Sequence, residues 1–397
     1  MSNDLAELKA ILDRVDGRAK DRQLTLETDG LFRGAFAHMP ASYALSFYAQ
    51  PKVVAEQLGN AGQQTNPADF QRRFGVAGDA IQQIRSVCGA VKFDNGKIRD
   101  VLFVGMPKMQ MDRELTRSSL KLGTADTFLY VAALLDPNKF TGISQIGGAP
   151  PLANWLQKVI DATARTGVTV NDWKAAFDLE IGALADWPQS ARWPSIIATL
   201  PVKDPVRTYK IVDALTTTID EDVPWTKADK AGVRYYYMQS PAVLFAIMPT
   251  IAVSNKLMII GLDSVSVEVA MKQSESGGRK SGTDLASSAA YKSAIRAVPT
   301  PTTAFAYIDT ALLYSRLDAA LRPMLLMSAA FMPSVADYMD VAKLPSSETV
   351  TKHLSPIVSA QRYDGDGYVT ESAGPVTLSL GLGLPAVVWM LDRHHSH

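Results

Sequence analysis

Residues 39–58 read MPASYALSFYAQPKVVAEQL, and residues 298–317 read VPTPTTAFAYIDTALLYSRL. The two stretches align without a gap at an offset of 259 positions. The matched pairs include Pro40 with Pro299, Tyr48 with Tyr307, and Leu58 with Leu317. Each stretch has a proline, then a short alternating run that ends in an aromatic residue, then apolar residues at helical spacing. The pattern predicts a strand followed by an amphipathic helix, present twice in the chain.

Two further stretches, residues 124–140 and 193–218, follow the same order more loosely. In the second, Asp204 precedes Pro205, a pair typical of the first turn of a helix. Repeated strand–helix units indicate antiparallel sheets covered by helices. We therefore predict an α+β protein with internal duplication, in which each half is an antiparallel sheet backed by helices on one face. Chance similarity between short strand–helix units is the alternative.

Turn chemistry places three sets of paired strands. Asn95-Gly96 separates two apolar runs and is typical of a type I′ hairpin turn. Residues 233–261 contain three strand runs, the last two separated by Ser254-Asn255-Lys256. The stretch QRYDGDGYVTES predicts another hairpin, with residues 364–367 at its tip.

The length of the chain, 397 residues, exceeds the size at which a single core usually stops growing. The polar, glycine-rich stretch 275–284 is the best linker. We predict an N-terminal helical segment (1–36), a first α+β domain (37–274), this linker, and a second α+β domain (285–397).

Composition excludes some classes of protein. Forty basic residues balance forty acidic ones without a basic tract, which argues against a nucleic-acid partner. Cys88 is the only cysteine, so an intramolecular disulfide and a thiolate-rich metal site are excluded. We expect Cys88 at the apolar end of a helix, as a buried and unreactive thiol.

Several segments resemble a known kind of bacterial protein. They are the Lys203-Asp204-Pro205 helix start, the tyrosine-rich strand 233–238, the strand–helix run 254–272, and the stretches 285–313 and 344–376. These are similar to uncharacterised, repeat-containing extracytoplasmic proteins, classed as domains of unknown function, from verrucomicrobial and planctomycete-type bacteria. The resemblance covers about residues 37–376. It implies a duplicated α+β envelope protein and no catalytic residue.

Motifs for catalysis, cofactors and metals are incomplete. Ser118 and Lys121 fit S-x-x-K, in which an amine activates a serine, but the companion motifs are missing. Asp364 and Asp366 lack the spacing of a calcium loop. The five histidines show no metal-ligand spacing, and three of them lie in the last four residues. We predict no catalytic, cofactor-binding or metal-binding residue.

A C-terminal apolar stretch is the one candidate membrane segment. Residues 373–391 read AGPVTLSLGLGLPAVVWML, without a charge, and about 20 apolar residues are needed to span a bilayer. Representative positions are Ala373, Leu382, Trp389 and Leu391. The alternative is a buried final strand and helix, because VTLSL alternates like a strand.

These features lead to three functional hypotheses. The first is a non-enzymatic structural or accessory subunit of an envelope protein assembly, extracytoplasmic or membrane-associated, with protein partners and a membrane contact through its C-terminal segment. The amphipathic N-terminus lacks the pattern of a secretory signal, which keeps the cytoplasm open as a location. The second is a module that binds an apolar ligand such as lipid in a cavity lined by Met238, Met248 and Met258. The third, more remote, is a serine hydrolase that uses Ser118 and Lys121.

Overall fold

The computed structural model describes residues 26–53, 83–108, 113–134, 164–218, 224–238, 248–277, 284–331 and 343–376, together with Lys9, Leu12, Asp13 and Asp16. Its strands are β1 (Leu45–Ala49), β2 (Ser86–Asp94), β3 (Lys97–Gly105), β4 (Thr127–Leu134), β5 (Glu180–Asp186), β6 (Ser195–Pro201), β7 (Trp225–Lys230), β8 (Val233–Met238), β9 (Thr250–Val253), β10 (Leu257–Gly261), β11 (Ala304–Ile308), β12 (Ile357–Tyr363) and β13 (Gly367–Gly374). Its α-helices are α1 (Gly30–Phe36), α2 (Val170–Ala176), α3 (Pro205–Thr218), α4 (Ser264–Glu275), α5 (Ala289–Ile295), α6 (Thr310–Phe331) and α7 (Ser347–Thr351). Short 3₁₀ helices cover Leu26–Thr28, Ser118–Leu122 and Leu285–Ser287.

All thirteen strands of the described residues belong to one antiparallel sheet, in the order β1-β2-β3-β13-β12-β11-β4-β5-β6-β10-β9-β8-β7. The α+β class is confirmed, but the prediction of a separate sheet for each half of the chain is wrong. Strands β11 to β13 lie between β3 and β4, and β13 pairs with β3 from Gly367 opposite Gly105 to Gly374 opposite Ile98. An alternating sequence predicts that a strand forms without identifying its partner, so this long-range pairing is invisible to the pattern.

The division of the chain at residues 275–284 falls between two helical elements. Helix α4 ends at Glu275 and the following 3₁₀ helix begins at Leu285, while residues 278–283 lie outside the described residues. Strands from both predicted domains are hydrogen-bonded in the same sheet.

The predicted turns are confirmed. Asn95 and Gly96 have φ of 50° and 74°, as a type I′ turn requires, and they join Asp94 of β2 to Lys97 of β3. The amide of Asp364 donates to the carbonyl of Gly367 at 2.8 Å and closes the β12–β13 turn. Local turn chemistry is therefore sufficient to locate these hairpins.

Helices cover both faces of the sheet at β8 to β10, where the prediction of a single covered face is wrong. Tyr236 belongs to a core cluster with Ile211 of α3, whereas its neighbour Tyr235 belongs to a different cluster with Val267 of α4. Successive side chains in a strand point to opposite faces, so α3 and α4 lie on opposite sides. The sequence of β9 explains why helices cover both faces here: its residues, TIAV, are all buried, so the strand has no polar face to present to water.

Cys88 is buried, as predicted, but it lies in β2 rather than at the end of a helix. Its strand is paired on both sides, with β1 and β3. The side chain packs in a small core cluster with Ala35, Phe103 and Val369. Apolar residues in a run this short fit a buried strand as well as a helix end, and the pairing on both sides decides for the strand.

Two pairs of elements have the same lengths and the same separation along the chain. Gly30–Phe36 of α1 and Ala289–Ile295 of α5 are 259 positions apart, as are Leu45–Ala49 of β1 and Ala304–Ile308 of β11. A helix then begins at Pro51 after β1 and at Thr310 after β11. The strand that follows pairs with its predecessor in both places, β2 with β1 and β12 with β11.

Candidate functional site

Helix α6 presents an exposed apolar stripe. Leu317, Leu321, Met324 and Met327 recur at spacings of four, three and three residues, which places them on one side of the helix. Between 37% and 58% of each of these side chains is exposed. We call these four residues the α6 face. Contiguous exposed apolar side chains of this kind mark interaction sites more often than isolated ones do.

The first half of α6 is fixed to the sheet. Asp309 begins the helix by accepting a hydrogen bond from the amide of Leu312 at 2.9 Å. The guanidinium of Arg316 donates to the carbonyl of Trp187 at 2.8 Å and to Asp126 Oδ1 at 2.9 Å. These bonds give the α6 face a defined orientation relative to β4 and the segment after β5.

The second half of α6 is held by a second arginine. Arg322 pairs with Asp318 one turn earlier, with Nη2 to Oδ1 at 2.8 Å, and also donates to the carbonyl of Pro345 at 2.7 Å. The last contact ties the helix to the segment that leads into α7. Both arginines and the one acidic residue of α6 are therefore engaged within the protein, and the α6 face itself carries no charge.

A second cluster surrounds His38, two residues after the end of α1. Its ring stacks on Phe103 of β3, with centroids 4.3 Å apart and planes within 13°. Nδ1 lies 3.4 Å from Asp364 Oδ2, and Nε2 lies 3.2 Å from Asp366 Oδ1. The β12–β13 turn thus meets the end of α1 through both nitrogens of one imidazole.

A small cavity lies beside this cluster, and its volume is about 40 Å³, room for a few water molecules. Arg85 lines it and donates to the backbone carbonyl of Asp366. Gly105 and Gly367 are opposite one another here, and a Cβ on either would lie within 3.1 Å of the ring of Phe103. The described residues include no group of three His, Cys, Asp or Glu placed for a metal ion. The arrangement can hold the turn against α1.

Ser118 and Lys121 lie together in a 3₁₀ helix, Ser118–Leu122. Residues three apart eclipse one another in this type of helix, so the two side chains share a side. Both residues are exposed. The hydroxyl of Ser118, however, donates to Glu180 Oε1 at 2.8 Å.

Glu180 is a buried carboxylate with four donors. The amides and hydroxyls of Thr116 and Ser118 all donate to it, at distances between 2.6 and 2.8 Å. Burial raises the pKa of Glu180, but the hydrogen bonds outweigh burial and leave that pKa below its ordinary value. A carboxylate stabilised in this way is a poor proton acceptor, so the pair Ser118–Glu180 is suited to fixing the loop 116–118 rather than to activating a nucleophile.

The three methionines proposed to line one cavity are in different surroundings. Met258 is 2% exposed and belongs to the core cluster that includes α3. Met248 is 43% exposed and lies two residues before β9. Met238 lies at the end of β8 and is half-buried. None of the three lines the cavity beside His38.

Of the candidate membrane segment, only the start falls within the described residues. Ala373 lies in β13, opposite Val358 of β12, and is 2% exposed. Leu382, Trp389 and Leu391 lie outside the described residues. Within the described ranges, no helix combines the length and the apolar character needed to cross a bilayer.

Sequence reasoning missed both the α6 face and the His38 cluster. The α6 stripe was visible in the apolar spacing from Leu317 to Met327, which extends beyond the repeated stretch that ends at Leu317. The contact between His38 and the aspartates joins positions 328 apart. Only the pairing of β13 with β3 brings them together, and no local signal indicates it.

Comparisons with known proteins give little further information. No family model matches this chain, and no curated protein matches it. Two crystal structures of TP0453 are similar to it at a low level. Crystal form I has 10% identity and a TM-score of 0.29, covering 66% of this chain and 79% of that chain. Crystal form III has 11% identity and a TM-score of 0.31, covering 68% and 83%. The class defined by the structure is an α+β protein with one large antiparallel sheet.

Proposed function

We propose that this protein is a non-enzymatic accessory subunit of a protein assembly in the cell envelope, and that it binds a partner through the α6 face. The observation that carries the proposal is the exposure of four apolar side chains on α6, a helix whose first half is hydrogen-bonded to residues next to the sheet. Exposing this area to water is unfavourable by roughly 25 cal/mol per Å² of apolar surface. A rigid apolar helix face is the usual receptor or ligand in helix-mediated recognition.

A protein partner is favoured over a membrane surface by the charges on α6. Helices that lie on anionic membranes carry Lys or Arg on the side opposite the apolar face. Here Arg316 is paired with Asp126, and Arg322 with Asp318. Their charges are compensated inside the protein, so α6 adds little attraction for lipid headgroups.

The non-enzymatic part of the proposal is supported by the state of the one catalytic candidate. The hydroxyl of Ser118 is committed to Glu180, a carboxylate whose pKa is held low. The unequal burial of Met238, Met248 and Met258 likewise gives less support to the alternative of an apolar ligand held among them.

The envelope location is supported by the resemblance of residues 37–376 to extracytoplasmic repeat proteins and by the uncharged stretch 373–391. The proposal includes internal duplication of the chain. Its support is the recurrence of helix, strand and helix start at an offset of 259 positions in α1 and β1 and again in α5 and β11.

The test is photo-crosslinking in the cells that produce the chain naturally. A photoreactive phenylalanine analogue is placed at Leu321 on the α6 face, or at the matched control Val206, an exposed apolar residue on α3. We expect a discrete protein adduct from position 321 and none from position 206, and its loss in a chain that also carries Met324→Glu. Equal adducts at both positions, or none at position 321, would contradict the proposal.

A further inference from the structure

Strand β1 forms one end of the sheet, and we call its outer side the open edge because none of the described strands pairs with it. It pairs with β2 on its inner side, from Leu45 opposite Val91 to Ala49 opposite Val87. In the ranges that the structure describes, no strand lies on its outer side. Such an edge presents unpaired backbone N–H and C=O groups that can template another strand.

The two ends of the sheet differ in charge. The opposite end strand, β7, carries Lys227, Asp229 and Lys230, and charged edges of this kind resist pairing with another chain. Strand β1 reads LSFYA and carries no charge, and Leu45 is 61% exposed. Phe93, on the neighbouring strand β2, is also exposed. The β1 edge therefore lacks the protection that the β7 edge has.

Strand β11 indicates what the outer edge of β1 is suited to bind. Both strands follow a short helix, precede another helix, and pair on one side with the next strand along the chain. The other side of β11 is occupied by β4, antiparallel, with Tyr307 directly opposite Tyr130. The corresponding side of β1 is the open edge. An uncharged antiparallel strand is the occupant that this comparison predicts.

We infer that this occupant is β1 of a second copy of the chain, so that the sheet continues through a twofold-symmetric dimer. A strand paired antiparallel with its own copy is self-complementary, which is the requirement for a closed twofold interface. Strand β1 opposes no like charges when it pairs with itself, because it has none. Pairing of β1 with β7 instead would bury charged side chains and build an open filament.

The same chain already contains a junction of this type. Strands β1-β2-β3 and β13-β12-β11 meet antiparallel at β3 and β13, so two comparable three-strand units share one sheet. Stable interfaces bury roughly 1,200–2,000 Å² in total. A five-residue strand supplies only part of this, and the exposed side chains of Tyr43, Leu45 and Phe93 at one end of β1 supply further apolar contact area. The inference is independent of the α6 face.

The test measures the mass of the full chain by sedimentation over a roughly hundredfold range of concentration, because association follows mass action. We expect twice the 43.0 kDa of one chain at the upper end. Leu45→Lys should weaken association by about tenfold or more, since each copy brings a lysine to the interface. The matched control is Thr226→Lys, on an exposed residue of β7, which should leave association unchanged. Circular dichroism and thermal melting check that both variants fold.

Three results would overturn the inference: a single-chain mass at every concentration, a dimer indifferent to Leu45→Lys, or a dimer broken by Thr226→Lys. A folded Leu45→Lys variant is expected because the side chain is already exposed. If Leu45→Lys fails to fold, Tyr43→Lys replaces it with the same expected loss of association. Binding of a peptide with the sequence of residues 127–134 to a chain that stays monomeric would reassign the edge to an extended peptide partner.

Discussion

The ring of Phe32 meets the ring of Tyr48 edge-on, with centroids 5.0 Å apart and planes at 85°. At positions 259 higher, Tyr291 meets Tyr307 in the same way, at 5.1 Å and 72°. In both pairs the first ring comes from a helix and the second from the strand that follows it. The helix caps also correspond, since Asp29 accepts from the amide of Phe32 and Ser288 from that of Tyr291. These contacts support the proposed duplication at the level of side-chain packing.

If the two contacts are equivalent, they should have similar coupling energies. Double-mutant cycles to alanine at Phe32 with Tyr48, and at Tyr291 with Tyr307, should each give about 0.5–1.5 kcal/mol in urea unfolding. The single substitution Tyr291→Ala should cost about 3–5 kcal/mol, because Tyr291 is 2% exposed. Phe32→Ala should cost less, because Phe32 is only half-buried. A coupling near zero in either pair would count against equivalence.

Replacement of Glu180 should destabilise the protein and change its response to acid. Glu180→Gln leaves four donors facing a neutral amide, which should lower the free energy of unfolding by about 1–3 kcal/mol at neutral pH. Ser118→Ala removes one of these donors and keeps the amide of residue 118, so its cost should be closer to about 1 kcal/mol. Chemical denaturation at pH 7 measures both.

The pH dependence follows from the lowered pKa of Glu180. As the pH falls below the ordinary carboxyl range, the unfolded chain takes up a proton at this position and the folded chain does not. The unfolded state then binds more protons, so the free energy of unfolding decreases as the pH falls. The contribution of Glu180 to stability is lost fully only below the pKa of Glu180 in the folded chain. Glu180→Gln should flatten this part of the stability profile. An unchanged acid slope would show that Glu180 has no part in it.

Two substitutions at His38 separate stacking from hydrogen bonding. His38→Phe keeps an aromatic ring over Phe103 but loses both contacts to Asp364 and Asp366, whereas His38→Ala loses all three. We expect His38→Ala to be the more destabilising by about 0.5–1.5 kcal/mol. Amide hydrogen exchange at residues 364–367 should increase in both variants. Equal stability of the two variants would argue that stacking contributes nothing.

The parts of the fold that sequence predicts are those set by neighbouring residues. Asn95-Gly96 supplies the positive φ angles of a tight turn, and Asp204 accepts from the amides of Val206 and Arg207 at the start of α3. Strand partners are set by distant residues instead, which is why one sheet formed where two were predicted. The short run around Cys88 fits a helix end as well as a strand, and only pairing on both sides decides.

The candidate sites were predictable to a smaller degree. The apolar spacing of the α6 face is present in the sequence, but its exposure depends on how Arg316 fixes the helix to Asp126, 190 positions away. The spacing of Ser118 and Lys121 identifies a motif in the sequence. Glu180, which accepts the hydrogen bond of the Ser118 hydroxyl, is brought there by the pairing of β5, and no sequence spacing indicates that pairing.

The thiol of Cys88 should be unreactive in the folded protein. Burial raises its pKa to about 11, so at pH 8 it is protonated, and its side chain is 0% exposed. Alkylation by iodoacetamide should be slow and should become complete on addition of denaturant. A Cys88→Ala chain that carries Ser276→Cys, at an exposed position, is the control and should react at once. Rapid labelling of the unmodified folded chain would contradict the buried position.

Truncation at the C-terminus should depend on where β13 ends. A chain that stops after Val376 keeps all of β13 and should fold, whereas one that stops after Glu371 loses Ser372, Ala373 and Gly374 from the pairing with β3. We expect only the shorter chain to be strongly destabilised. Membrane sedimentation with carbonate extraction, comparing the full chain with the chain ending at Val376, then tests residues 377–397 as an anchor without disturbing the sheet. Equal stability of the two truncated chains would contradict the role of the last residues of β13.

The place of β13 in the sheet also governs the order in which the chain can assemble during synthesis. About 260 residues separate Gly105 from its partner Gly367, and translation proceeds at roughly 5–20 residues per second. The edge of β3 therefore waits roughly 13–50 s for its neighbour to be made, and β4 waits for β11. Until the last strands emerge, the edges of β3 and β4 that pair with β13 and β11 in the finished sheet have no neighbour there. Contacts between residues so distant in sequence form slowly. Nascent chains at this stage are prone to aggregation and are substrates for chaperones.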